Sequence, residues 1–132
     1  MKKGTEYWLE TSEYDWDTAH DMMKSVRYVY VVFMCHLSIE KLIKGAIVEF
    51  TDIAIPDKIH DLKRLADTAK LELTETQSAF LNNLTDHQAK TRYPADIKKW
   101  GKTYTREYAQ KILDQTKECR EWLLPKVKSE KS

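Results

Sequence analysis

The chain has 132 residues, 42% of them hydrophobic and 33% charged, with only 3 glycines and 3 prolines. It is long enough for one core and too short for two ordinary domains, and the scarcity of turn residues favours a few long helices. A formal net charge of +1 excludes a global field that steers the chain to nucleic acid or membrane, though not a local basic patch.

Met1-Lys2-Lys3 leads straight into Gly4-Thr5-Glu6 with no secretory pattern, so a soluble cytoplasmic protein is expected. The first predicted helix runs from about Thr5 to Ser25. Trp8, Ser12, Trp16, Ala19, Met23 and Val26 recur at three- and four-residue spacing on one face, with Glu10, Glu13, Asp17 and Lys24 outside it. Asp15 and Asp17, two apart, point to different faces and form no carboxylate pair. The second helix, roughly Tyr28 to Phe50, is apolar nearly all round, which predicts a central position. His36, Glu40, Lys41, Lys44 and Glu49 break it up as a membrane span.

A loop with Pro56 follows, then a short helix over about His60 to Lys70, with Leu62, Leu65, Ala66 and Ala69 inward. Thr74-x-x-Gln77 has the form of a capping box opening a fourth helix that carries Phe80, Leu81 and Leu84. Pro94 disfavours helical geometry at Tyr93, so this helix should end by about Thr91. Residues 96–102 are expected to be a polar loop. The last helix is placed from about Thr103, presenting Tyr108, Ile112, Thr116, Cys119 and Leu123, with weakening at Pro125 and a frayed basic tail over 126–132. Cys35 and Cys119 fall at apolar positions, too few and too distant for a disulfide framework, and are taken as core residues. The expected fold is all-α: one domain, an antiparallel up-and-down bundle of four long helices plus one short helix.

Charge inside an apolar helix calls for partners, because an unpaired ion in low dielectric is costly. His36, Glu40 and Lys44 fall along one stripe, with Lys41 offset by about 100° from Glu40. The plain possibility is an intrahelical Glu40–Lys44 pair at the bundle edge, worth a few tenths of a kcal/mol. The functional one has Lys41 or Lys44 on an anion and Glu40 orienting Arg92. Arg92 offers a planar fork for carboxylate or phosphate, Pro94 fixes the chain beside it, and Tyr93 can pack or donate. His60-Asp61 stands at the start of the short helix, where Asp61 suits a cap and the nearby N–H groups suit phosphate. There is no glycine-rich phosphate loop, no H-E-x-x-H, no Cys-x-x-Cys and no G-x-S-x-G, so no cofactor, metal or catalytic residue is assigned.

Trp8 with Asp15-Trp16 and Ala19, Phe33 with Ser38-Ile39-Glu40-Lys41-Leu42-Ile43-Lys44, His60-Asp61-Leu62, and Arg92-Tyr93-Pro94 follow one another in order from Tyr7 to Leu123. In this order and spacing the sequence resembles the HEPN family (higher eukaryote and prokaryote nucleotide-binding domain), in its small stand-alone prokaryotic form. The resemblance implies a helical bundle that commonly dimerises and often partners a minimal nucleotidyltransferase, sometimes as a toxin–antitoxin pair. Many of the family are ribonucleases using Arg-x(4–6)-His. Here Ile97, Lys98 and Lys99 occupy the positions after Arg92 where that histidine would stand, and Arg27 and His36 are eight residues apart.

Three functions follow from this. The first is a non-catalytic binding module for a nucleotide, docked on a nucleotidyltransferase, with Lys41, Lys44 and Arg92 on phosphate, Tyr93 against a base, and Glu40, His60, Asp61 and Pro94 organising the site. The second is a ribonuclease with a degenerate site in which His36, His60 or His87 supplies the base, RNA then being the substrate. The third is a dimeric scaffold whose polar cluster only sets helix register.

Overall fold

A computed structural model describes residues 1–91 and 97–129, and of residues 97 and 98 the backbone alone. Among the described residues every regular element is helical: α1 (Lys3–Lys24), α2 (Tyr28–Phe50), α3 (Leu62–Thr68), α4 (Glu75–Thr91), α5 (Ile97–Thr103) and α6 (Arg106–Lys128). Gly4 lies against Val48 and Gly45 against Trp8 and Leu9, so α1 runs antiparallel to α2. Gly45 is also where a Cβ would meet Trp8 Cβ at 3.3 Å, and its missing side chain lets the two helices close. Cys35 beside Thr116 and Ser38 beside Arg120 set α6 parallel to α2. His87 beside Tyr104 and Asn83 beside Tyr108 turn α4 back against α6. The result is the expected up-and-down bundle, with α2 in the middle and packed on α1, α3, α4 and α6.

The apolar wrap of α2 explains its position. Val31, Val32, Cys35, Ile39, Leu42, Ile43, Ala46 and Ile47 are all buried and join Leu62, Leu65, Leu84, Ile112 and Leu123 in one core. Burial pushes the Cys35 and Cys119 thiols up to about 12, so both stay protonated and inert. The Thr74–Gln77 box forms in both directions: Thr74 N–H donates to Gln77 Oε1 at 2.9 Å and Gln77 N–H to Thr74 Oγ1 at 3.1 Å. No helix among the described residues is long and apolar enough to cross a membrane.

Four local expectations are corrected. Residues Ile97–Thr103 form a helical turn where a loop was expected, because Trp100 packs on the core and its carbonyl accepts the Tyr104 N–H at 2.7 Å. The last helix begins three residues later than expected, at Arg106, capped by the Thr105 side chain. It then continues through Pro125 to Lys128, with Leu123 and Val127 both buried. Proline forfeits one hydrogen bond in that last turn, and the apolar anchors on either side keep it wound. Val26 leaves the core face of α1. It is exposed with φ 63°, and its N–H and that of Arg27 bond to the carbonyls of Met23 and Met22. That is a Schellman stop with valine where glycine is usual, a strained choice dictated by the reversal into α2. Arg92, Tyr93 and Pro94 lie outside the described residues, as do residues 130–132 of the expected tail.

Candidate functional site

The stripe on α2 is real, and it faces inward. His36, Glu40 and Lys44 are all buried, so the Glu40–Lys44 pair lies inside the bundle and not at its edge. Lys44 Nζ donates to Glu40 Oε2 at 3.2 Å and stands 5.6 Å from the centre of the Trp8 ring. Glu40 Oε1 accepts from His60 Nδ1 at 2.8 Å. A carboxylate can only accept here, so His60 carries a proton on Nδ1. The His60 side chain is 38% exposed. One arm of a buried charge pair therefore reaches the surface through an imidazole.

His36 lies beneath this pair. Its Nε2 donates to the His60 carbonyl at 3.0 Å, which ties the loop before α3 to the middle of α2. Its Nδ1 has no hydrogen-bond partner and lies 3.8 Å from Glu40 Oε1. Burial holds the His36 pKa down to about 4 against the opposing pull of Glu40, so the ring is neutral at pH 7. Lys41, offset from the stripe, turns to α1 and pairs with buried Asp15 at 2.6 Å. Each of the two lysines thus has its own carboxylate. Asp61 caps α3, accepting the Arg64 N–H at 3.2 Å, and the Leu62 N–H goes to Thr85 Oγ1 at 3.1 Å. Those N–H groups are used within the fold.

His87 is elsewhere, at the α4–α6 seam. Its Nδ1 is 2.8 Å from the Tyr104 hydroxyl and its Nε2 2.6 Å from that of Tyr108. Both ring nitrogens are committed, and burial, with Lys90 adding to it, lowers its pKa. Among the described residues no three His, Cys, Asp or Glu side chains group to hold a metal ion.

A family model for the HEPN domain matches residues 5–128, nearly the whole chain. The chain belongs to the HEPN domain family. No curated protein and no solved structure matches it. As a HEPN domain it is a helical module of the nucleotide-related, ribonuclease-type class. Its described residues join Glu40, Lys44, His36 and His60 into one network and send Lys41 to a separate pair with Asp15.

One polar centre of this HEPN domain escapes a reading of the sequence. Arg120 on α6 is buried and spans three helices: its Nη1 donates to Ser12 Oγ at 2.7 Å and Ser38 Oγ at 2.6 Å, its Nη2 to Glu13 at 2.5 Å. Its guanidinium stands 5.5 Å from the Trp16 ring centre. The available signal was positional: Arg120 falls four residues after Thr116 and three before Leu123, within the apolar face of α6.

Proposed function

We propose that this HEPN domain is a non-catalytic binding module that takes a nucleotide phosphate where His60 opens the Glu40–Lys44 network to solvent. In this reading it works as a homodimer beside a minimal nucleotidyltransferase, in a toxin–antitoxin-like pair. The observation that carries the binding half is the state of His60. Glu40 takes its Nδ1–H, the ring is 38% exposed, and its second nitrogen, once protonated, can donate to an anion. Arg92, with its planar fork, and Tyr93, with a ring to pack on a base, are assigned to the same ligand, with Pro94 fixing the chain beside them. Lys41 and Lys44 then act through their carboxylates, holding Asp15 and Glu40 in place.

A specific observation favours a second reading. A histidine whose Nδ1–H is oriented by a carboxylate has the form of a general base, and His60 with Glu40 meets that description. Phosphodiester cleavage also calls for an acid, and in this network His36 is fully buried. One exposed imidazole supports binding better than turnover.

The test is thermal unfolding of the protein with ATP, GTP, CTP, UTP and their monophosphates, for wild type, His60→Asn and Arg92→Ala. At ~100 times the dissociation constant the right nucleotide should stabilise by about 2.7 kcal/mol, and either variant should erase the shift. Absence of any shift in the wild type refutes the reading. Cleavage of single-stranded RNA that His60→Asn abolishes replaces it with the ribonuclease.

A further inference from the structure

Helices α1 and α6 lie side by side but hardly touch, in contrast to the close packing of α1 on α2. The gap is a groove made of two adjoining clefts of about 520 Å³ each, which share Glu13 and Leu124. Its floor is apolar: Leu9 and Trp16 from α1, Leu124 and Pro125 from α6. On α1 the lining runs from Glu6 to His20, which at ~1.5 Å per residue is roughly 21 Å, the length of about four helical turns.

The α1 side carries a row of acids along one helix face, beside Met1 and His20. Glu6, Glu10, Glu13 and Asp17 recur at the spacing of one helix face, and all four are exposed. The cations nearby are largely answered. Arg120 is held by Glu13, and Lys117 lies 3.9 Å from Glu121, leaving Lys128, which lines the same cleft as Glu6 and Glu10. Neither Glu6 nor Glu10 has an ion-pair partner among the described residues.

We propose that this α1–α6 groove docks an amphipathic helix of a protein partner, its apolar stripe on Trp16 and Leu124 and its lysines or arginines against the Glu6–Glu10–Asp17 ridge. The occupant is identified by charge: a groove with an apolar floor and two exposed glutamates, Glu6 and Glu10, that no cation pairs among the described residues favours a basic helix over an acidic one. Two copies joined groove to groove would set ridge against ridge, which disfavours that dimer. The surface is separate from the His60 network, and neither proposal needs the other.

The test uses a 14-residue helical peptide of leucine and lysine, with leucine at i, i+3, i+4 and i+7, and a control with every lysine replaced by glutamate. Binding is followed by fluorescence anisotropy at 50 and 300 mM salt, and the contact face by hydrogen exchange. The lysine peptide should bind and the glutamate peptide should not. Glu6→Lys with Glu10→Lys should weaken binding at least tenfold, leaving melting temperature and any nucleotide shift unchanged. Protection should fall on α1 and α6. Equal binding of both peptides, an unchanged affinity in the double variant, or protection on another face would each overturn the proposal. So would sedimentation showing a dimer that the lysine peptide dissociates, since the groove would then belong to a second copy.

Discussion

Two of the buried polar centres among the described residues solve the same problem in opposite ways. At the centre of α2 both ions of the Glu40–Lys44 pair are inside, and the group that reaches solvent is the imidazole of His60. At the α1–α6 seam the cation Arg120 is inside, and its carboxylate, Glu13, is 56% exposed. The first arrangement keeps a complete ion pair out of water and shows the surface a titratable ring. The second draws a surface carboxylate down onto a buried guanidinium, with Ser12 and Ser38 accepting from its Nη1. Removing one partner should therefore hurt most where the other is left buried, charged and without an acceptor or donor to take its place.

Glu40→Ala is expected to have the largest effect. It leaves Lys44 buried without its anion, and loss of one member of a buried pair costs about 3–5 kcal/mol. A loss below about 1 kcal/mol in chemical denaturation would show that Lys44 escapes to water, and the contrast between the centres would collapse.

Acid should probe the same centre with nearly the same force. His36 has its folded pKa depressed from 6.5 to about 4, so the unfolded chain binds more protons between those values. The stabilising contribution is whole above pH 6.5 and is lost as pH falls through about 4, roughly 3 kcal/mol in all. His87, also lowered, adds in the same direction. Melting temperature should drop between pH 7 and pH 4.5, and His36→Gln should flatten that slope. An unchanged slope in the variant would place the titration elsewhere.

Arg120→Met comes next, at about 2 kcal/mol. Two buried hydroxyls lose their donor, but Glu13 is freed to water and no buried charge remains. Glu13→Gln should cost least, about 1 kcal/mol, since the amide oxygen can still accept from Arg120. If Glu13→Gln proves worse than Arg120→Met, the exposed carboxylate is the indispensable counterion of a desolvated cation, and the two centres are alike after all.

The α2 centre was legible in the sequence and the α6 centre was not, for a reason of distance along the chain. His36, Glu40 and Lys44 are spaced by four on one apolar helix, so a 3.6-residue period alone puts them on a common stripe. The period did not say that the stripe faces inward. That followed only once the loop before α3 brought His60, 20 residues from Glu40, over the helix. Lys41 shows the same limit, since its choice of Asp15 over an external anion depends on how α1 lies on α2. Arg120 sits in the charged run Lys117-Glu118-Cys119-Arg120-Glu121, which resembles a solvated face. Its partners are 108, 82 and 107 residues away, and nothing local announces them.

What the sequence determined by itself is local physics: the helical periods, the Thr74–Gln77 box, the central place of an all-round apolar α2, and the ordered residues that mark the family. These depend on contacts within about four residues or on the bulk burial of apolar surface, and both can be written as patterns along a chain. Tertiary structure alone decided which charges are buried, that His60 reaches solvent and His36 does not, that Pro125 does not end α6 because Val127 anchors it, and that α1 and α6 part to leave a groove. Each of those depends on the free energy of bringing distant groups together in one dielectric environment, a quantity that no window of sequence contains.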